Sequence, residues 1–234
     1  MKYVELDDIR IAFNECGISD APTLLLLHGN SESKALFEAY QVQHFANFHT
    51  FALDSRQHGD SISNDSSLSI ELMADDVIGF CERLNIRRTY VIGYSDGGNV
   101  ALFLAKKCPC VFEKAVAISP NYLASGLINR YIWQIKPLWA LLKLLQWAGF
   151  PLRRRIMLLE LMLNDIGLTD NDLRGINTRM LILYAQHDVI KEEHFRRMAA
   201  LIPNVELLKI SGCSHFSILQ DMEAIAAMQN FFNS

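Results

Sequence analysis

The segment Gly93-Tyr94-Ser95-Asp96-Gly97-Gly98 lies directly after the apolar run Thr89-Tyr90-Val91-Ile92 and directly before the helical run Asn99 to Ala105. A strand, a tight turn and a helix with a serine at the apex can be joined this closely only if the flanking positions lack Cβ atoms. Gly93 and Gly97 meet that condition, which pushes the serine hydroxyl out of the chain's path. The helix that follows aims its N-terminal N–H groups and positive dipole end at Ser95. Negative charge would develop there in acyl transfer, so Ser95 is a candidate nucleophile.

The strand runs Lys2 to Leu6, Ile9 to Asn14, Thr23 to Leu27 and Thr50 to Leu53 fill the first third, the last two reading as buried parallel strands. Glu71 to Leu84 has helical spacing. Further strand runs at Thr89 to Ile92, Ala115 to Ile118, Met180 to Ala185 and Val205 to Ile210 alternate with helical segments. The expectation is an α/β fold, a mostly parallel sheet covered on both faces. A chain of 234 residues, half of them apolar, can bury one such core.

One stretch breaks the alternation. Residues 121–177 are helical in character and carry all three tryptophans, Trp133, Trp139 and Trp147. An excursion of this length between two strands predicts a lid inserted into a core of residues 1–120 and 178–234. The insertion has seven basic and four acidic residues, a net +3, which leaves −7 on the rest of the chain. The apolar run Trp133 to Phe150 is too short for a span and is broken by Lys136, Pro137, Lys143 and Gln146, so no stable membrane insertion is expected. A helix starting near Pro137 is predicted, with the tryptophans lining an acyl pocket and reversible contact of the aromatic face and Arg153 to Arg155 with a membrane surface as a lesser alternative.

A net charge of −4 gives no basic footprint for nucleic acid. The N-terminal residues lack a secretory pattern, and five scattered cysteines read as thiols, so a cytoplasmic chain is expected. Cys213 falls near the histidine discussed next; packing is its expected role.

A serine alcohol needs a general base in hydrogen-bond reach and a group to orient that base. His215 follows the last strand run in a short glycine-containing loop, Ser211 to Phe216, and is preferred over His187. Asp188 follows the Met180 to Ala185 run; Ser119-Pro120-Asn121, after the preceding strand, offers no carboxylate, and Asp165, Asp170 and Asp172 read as solvated. Parallel strands put Ser95, Asp188 and His215 on one edge of the sheet. Oxyanion donors are expected in the backbone N–H groups of Asp96 and of Asn30, which follows His28-Gly29. The scheme needs no metal or organic cofactor.

Taken with His28-Gly29-Asn30 and Asp54-Ser55-Arg56-Gln57-His58-Gly59-Asp60-Ser61, these pieces, in the chain order Ser, Asp, His, resemble the α/β-hydrolase family of the serine type over nearly the full length. The resemblance implies that Asp54, Arg56 and His58 support a turn rather than perform chemistry. It excludes the members with an aspartate nucleophile. The activity it implies is cleavage of a small or medium hydrophobic carboxylic ester through an acyl-enzyme. Thioester or carbon-carbon bond hydrolysis, or a silent ligand-binding role, stay as alternatives. The Asp96 side chain is expected to satisfy neighbouring loop N–H groups, with a substrate ammonium as the other possibility.

Overall fold

The computed structural model describes residues 2–63 and 67–234. Among these residues nine strands form one sheet: β1 (Lys2–Glu5), β2 (Ile9–Cys16), β3 (Thr23–Leu27), β4 (His49–Leu53), β5 (Ile62–Ser63), β6 (Thr89–Tyr94), β7 (Phe112–Ile118), β8 (Arg179–His187) and β9 (Val205–Ser214). Their order is β1-β2-β4-β3-β6-β7-β8-β9, with β5 beside β2. The six strands from β4 to β9 along this path are all parallel, and β1 and β2 add an antiparallel edge.

Side-chain alternation along each central strand divides the core in two. Leu25 and Leu27 of β3, with Met180, Ile182 and Tyr184 of β8, face the helices α1 (Ile70–Arg83), α2 (Asp96–Lys107) and α6 (Glu192–Leu201). Leu24 and Leu26, with Leu181, Leu183 and Ala185, face the helical turns at 34–44 and α7 (Met222–Asn233). Both faces are therefore apolar, as a covered parallel sheet requires. Ser69 starts α1 by accepting the Leu72 N–H through its hydroxyl at 3.1 Å.

Strand order reverses between β3, whose other neighbour is β4, and β6. The C-terminal ends of strands at such a point frame a crevice. The loop 28–31 after β3 and Ser95 after β6 border it, and Asp188 and His215 follow the ends of β8 and β9. All four positions come to one edge because the strands carrying them run in the same direction.

Between β7 and β8 lie α3 (Asn129–Trp147), α4 (Arg153–Leu163) and α5 (Asp170–Arg174). The start of α3 corrects the expectation of a helix beginning near Pro137. The Ile128 N–H still donates to the Val189 carbonyl at 2.9 Å, so the chain turns helical at Asn129 and Pro137 falls inside the helix. Proline denies the Trp133 carbonyl its intrahelical donor, and at 74% exposure that position is open to water. The reading of Asp165, Asp170 and Asp172 as merely solvated is also corrected. Asp165 accepts the Ala124 N–H at 2.7 Å, Asp170 holds Tyr122 and Arg197, and Asp172 closes a capping box with Thr169 and pairs with Lys106. No helix among the described residues is long and apolar enough to cross a membrane.

Candidate active site

The turn after β6 is built by backbone contact. A Cβ at Gly93 would sit 2.0 Å from the Gly97 carbonyl oxygen, and one at Gly97 would sit 2.1 Å from the Leu27 carbonyl oxygen. No side chain fits at either place, so β6, α2 and β3 meet without a spacer. Ser95 itself has φ 54° and ψ −115°, a conformation that costs a non-glycine residue on the order of 1–3 kcal/mol. It is held by two bonds at the turn: its N–H donates to the Ile118 carbonyl at 2.8 Å, and its carbonyl accepts the Asn99 N–H at 3.0 Å.

The structure brings Ser95, His215 and Asp188 into one hydrogen-bonded line. His215 Nε2 lies 3.2 Å from Ser95 Oγ, and His215 Nδ1 lies 2.8 Å from Asp188 Oδ1. With the proton on Nδ1, the ring donates to the carboxylate and accepts from the serine hydroxyl. His187 is exposed at the end of β8 and makes neither bond. The Asp188 carboxylate also accepts the Ile190 N–H (3.1 Å), the Ala185 N–H (3.2 Å) and the Ser119 hydroxyl (2.5 Å). Burial works against its charge, but the bonds from His215, Ser119 and Ala185 outweigh it and hold the carboxyl below the usual range. Tyr94 fixes the far side of the histidine by donating its hydroxyl to the His215 carbonyl at 2.9 Å.

His28 anchors the loop after β3. Its Nδ1–H donates to the Gly29 carbonyl at 2.7 Å and its Nε2 accepts the Ser55 N–H at 3.1 Å, a pattern only the neutral ring satisfies. Burial and the neighbouring His58 push its pKa down to about 4. Ser55 belongs to the 54–61 turn, where Asp54 pairs with buried Lys34 at 2.6 Å and Arg56 pairs with Asp76 at 2.6 Å. The turn thus braces the loop carrying Asn30. Among the described residues, neither the Asn30 N–H nor the Asp96 N–H bonds to another protein group.

The Asp96 side chain meets amides rather than loop N–H groups. Asn30 Nδ2 donates to it at 2.9 Å and Asn99 Nδ2 at 3.4 Å; Asn30 Nδ2 also reaches the Leu158 carbonyl of α4 at 2.8 Å. Burial raises the Asp96 pKa, and the two amides partly offset this. Cys213 packs in the core with its thiol donating to the Ile210 carbonyl at 3.4 Å.

A cavity of about 210 Å³ opens beside Ser95. Most of its apolar wall comes from Leu127, Tyr131, Leu159, Met162 and Ile190, in the inserted helices and their junction with β8, and Tyr94 and Phe216 of the core complete it. None of the three tryptophans lines it. Trp133 and Trp147 are 74% and 87% exposed, and Trp139 lies with Lys136 and Glu160 in a separate surface groove. The pocket expectation is corrected accordingly: α3 is apolar around most of its circumference, and the face turned inward is that of Tyr131 and Ile135. Sequence reading also missed Glu32, which lines the cavity and accepts the Gly29 N–H at 3.0 Å; burial raises its pKa. A single carboxylate or hydroxyl at a strand end carries no local signature, so neither Glu32 nor Ser119 could be found without tertiary contacts.

A serine on a strained strand-to-helix turn of a parallel sheet, joined through histidine to a buried aspartate, defines the hydrolase class of doubly covered α/β proteins. Residues 24–228 match the sequence profile of the alpha/beta hydrolase family, and the chain belongs to that family. Among curated proteins, it is 23% identical to the carboxylesterase YbfK of Bacillus subtilis over 89% of this chain and 79% of that protein. It is 28% identical to a putative esterase/lipase of Haemophilus influenzae, over 42% of this chain and only 34% of that protein. The chain thus spans about a third of some relatives and about four-fifths of YbfK. Among solved structures, an enol-lactonase from Burkholderia xenovorans superposes with a TM-score of 0.79 at 16% identity, covering 100% of both chains. The structure of YbfK gives 0.77 at 21% identity, over 99% of this chain and 90% of that one. These likenesses establish the fold and a hydrolase family that includes carboxylesterases.

Proposed function

We propose that this protein is a serine hydrolase that cleaves a carboxylic ester of a small or medium hydrophobic substrate. The observation that carries the reading is the unbroken hydrogen-bonded line from Ser95 through His215 to Asp188, with Ser95 at the strained turn. His215 takes the hydroxyl proton as Ser95 Oγ attacks the carbonyl carbon, and Asp188 holds the ring in the tautomer that can accept it. The N–H groups of Asn30 and Asp96 receive the oxyanion. Collapse of the tetrahedral species breaks the ester bond, and His215 returns the proton to the departing alcohol. Water, deprotonated by the same histidine, then releases the acid from the Ser95 ester.

Acyl size follows from the cavity. At about 210 Å³ it is smaller than a drug-sized ligand pocket, which fits a short or medium chain laid against Tyr131, Leu159 and Met162. Residues 121–177 act as a lid over it, tied to the core by the Asn30 to Leu158 bond and by Arg154 Nε donating to the Gln57 carbonyl.

Labelling with a fluorophosphonate, with the adduct located by mass spectrometry, tests the nucleophile: a single adduct on Ser95 is expected, absent in Ser95→Ala. A matched panel of 4-nitrophenyl esters, thioesters and vinylogous diketones then tests the bond. Turnover confined to the diketones would overturn the ester assignment.

A further inference from the structure

Helix α3 presents an apolar face that nothing among the described residues covers. Trp133 (74% exposed), Leu141 (52%), Leu144 (60%) and Trp147 (87%) fall within an arc of about 120° at 100° per residue. Along the helix they span about 20 Å. The inward face of the same helix is different: Ile135 is buried and Tyr131 lines the cavity. Two tryptophans left in water at opposite ends of one stripe are a large solvation cost for a helix that already has an inner face to bury.

The charge around this stripe is one-sided. From Asn129 to Leu163 the chain carries six basic residues and one acidic residue, whereas the protein as a whole is acidic. The acid, Glu160, is already occupied by Lys143 and by the Trp139 indole N–H. Arg154 reaches back to the core. Lys136, Arg153 and Arg155 are exposed and make no ion pair among the described residues. Lys136 lies one turn from Trp133, and Arg153 and Arg155 begin α4 just past the turn that follows Trp147.

We propose that this outer face of α3 is a docking surface for an anionic lipid bilayer. The aromatic rings and leucines would enter the headgroup boundary with the helix lying in the interface plane, and Lys136, Arg153 and Arg155 would meet lipid phosphates. Charge selects this occupant over a second copy of the chain. A two-fold dimer through the stripe would set the same basic residues against one another, whereas an anionic surface neutralises them. Because Tyr131 sits in the first turn of α3, docking would bring the cavity beside Ser95 close to the lipid surface. The inference goes beyond the proposed esterase activity and is independent of it, since binding is read without turnover.

The test is sedimentation of the full chain with vesicles of phosphatidylcholine alone and of phosphatidylcholine with phosphatidylglycerol. The expected result is binding to the anionic vesicles only, weakening as salt rises, with tryptophan emission shifting to shorter wavelength. Replacing Lys136, Arg153 and Arg155 together by Gln should weaken binding about 100-fold, at about fivefold per basic residue. Trp133→Gln/Trp147→Gln should remove the emission shift and most of the binding. Both sets of positions are exposed, and thermal melting of each variant verifies that it is folded. Absence of binding to anionic vesicles, equal binding to neutral ones, or binding unchanged in both variants would overturn the proposal. So would a concentration-dependent dimer that the double tryptophan variant abolishes while vesicle binding is absent.

Discussion

The strand ends around Ser95 and the helices between β7 and β8 solve the problem of burial in opposite ways. At the strand ends, polar groups are taken out of water and partnered: Asp188 has four donors, His215 is held on both ring nitrogens, and Asp96 is 5% exposed between two amides. In the inserted helices apolar groups are left in water, with Trp147 at 87% exposure the extreme case. A site assembled from fully partnered polar groups tolerates little displacement, because any orphaned group bears its whole desolvation cost. The inserted helices, by contrast, can lose outer side chains without loss to the core.

The largest expected effect tests the first region directly. Ser95→Ala should reduce kcat/KM for an ester substrate by about a millionfold, by comparison with other serine triads, while the melting temperature stays near that of the unsubstituted protein. A residual activity close to the original would place the nucleophile elsewhere. Next comes Gly93→Ala, whose Cβ must enter space 2.0 Å from the Gly97 carbonyl oxygen. Backbone has to move on both sides, and a loss of about 3 kcal/mol or more in unfolding free energy is expected by urea titration. Tolerance of that alanine would show that the turn is slacker than its contacts require.

Ser119→Ala tests whether partnering around Asp188 matters for chemistry rather than for folding. Removing one hydrogen bond to a buried carboxylate corresponds to about 1.5–3 kcal/mol, so kcat should fall about 10- to 100-fold with KM little changed. Ser119→Thr, which keeps the hydroxyl, should recover part of that loss.

Acid should weaken the core through its neutral histidines. Burial first, then nearby positive groups, pushes both His28 and His194 down to about 4 from an ordinary 6.5. Between those values the unfolded form of each histidine binds more protons than the native one, so their contribution to stability is constant above about pH 6.5 and falls as pH drops toward 4. Denaturation at pH 7 and pH 5 should differ by on the order of 2 kcal/mol for each of the two residues. His194→Phe should flatten the slope by about half, since stacking on Tyr122 at 4.8 Å survives. The smallest effect belongs to the second region. Trp147→Gln should change unfolding free energy by less than about 0.5 kcal/mol, and a larger loss would mean that the outer face of α3 is covered by something.

Much of the first region could be read from the chain itself. The glycine spacing around Ser95 demands a strand-to-helix turn, and the parallel order of the strands then requires that Asp188 and His215 emerge at the same edge. The loops that carry Asn30 and Asp96, whose N–H groups are the proposed oxyanion donors, follow the ends of β3 and β6 in the same way. Local reading failed where a residue acts through a neighbour distant in sequence. Ser119 reaches Asp188 across 69 positions, and the Asn30 amide bridges Asp96 and α4 across 66 and 128.

The second region shows the other limit. The helical character of residues 121–177 was legible, but which side of α3 faces inward was not, because Ile132, Ile135 and Trp139 are as apolar as Leu141, Leu144 and Trp147. Pro137 suggested a helix start that the extended pairing of Leu127 with Ile190 moves eight residues earlier. Sequence alone thus determined the sheet, the turn and the order of the site residues, since backbone sterics and strand direction act locally and leave few alternatives. Tertiary structure alone decided the cavity wall, the partners of the buried carboxylates and the exposed aromatic stripe. Those depend on which of several equally apolar surfaces meets another, and that choice is settled only by packing.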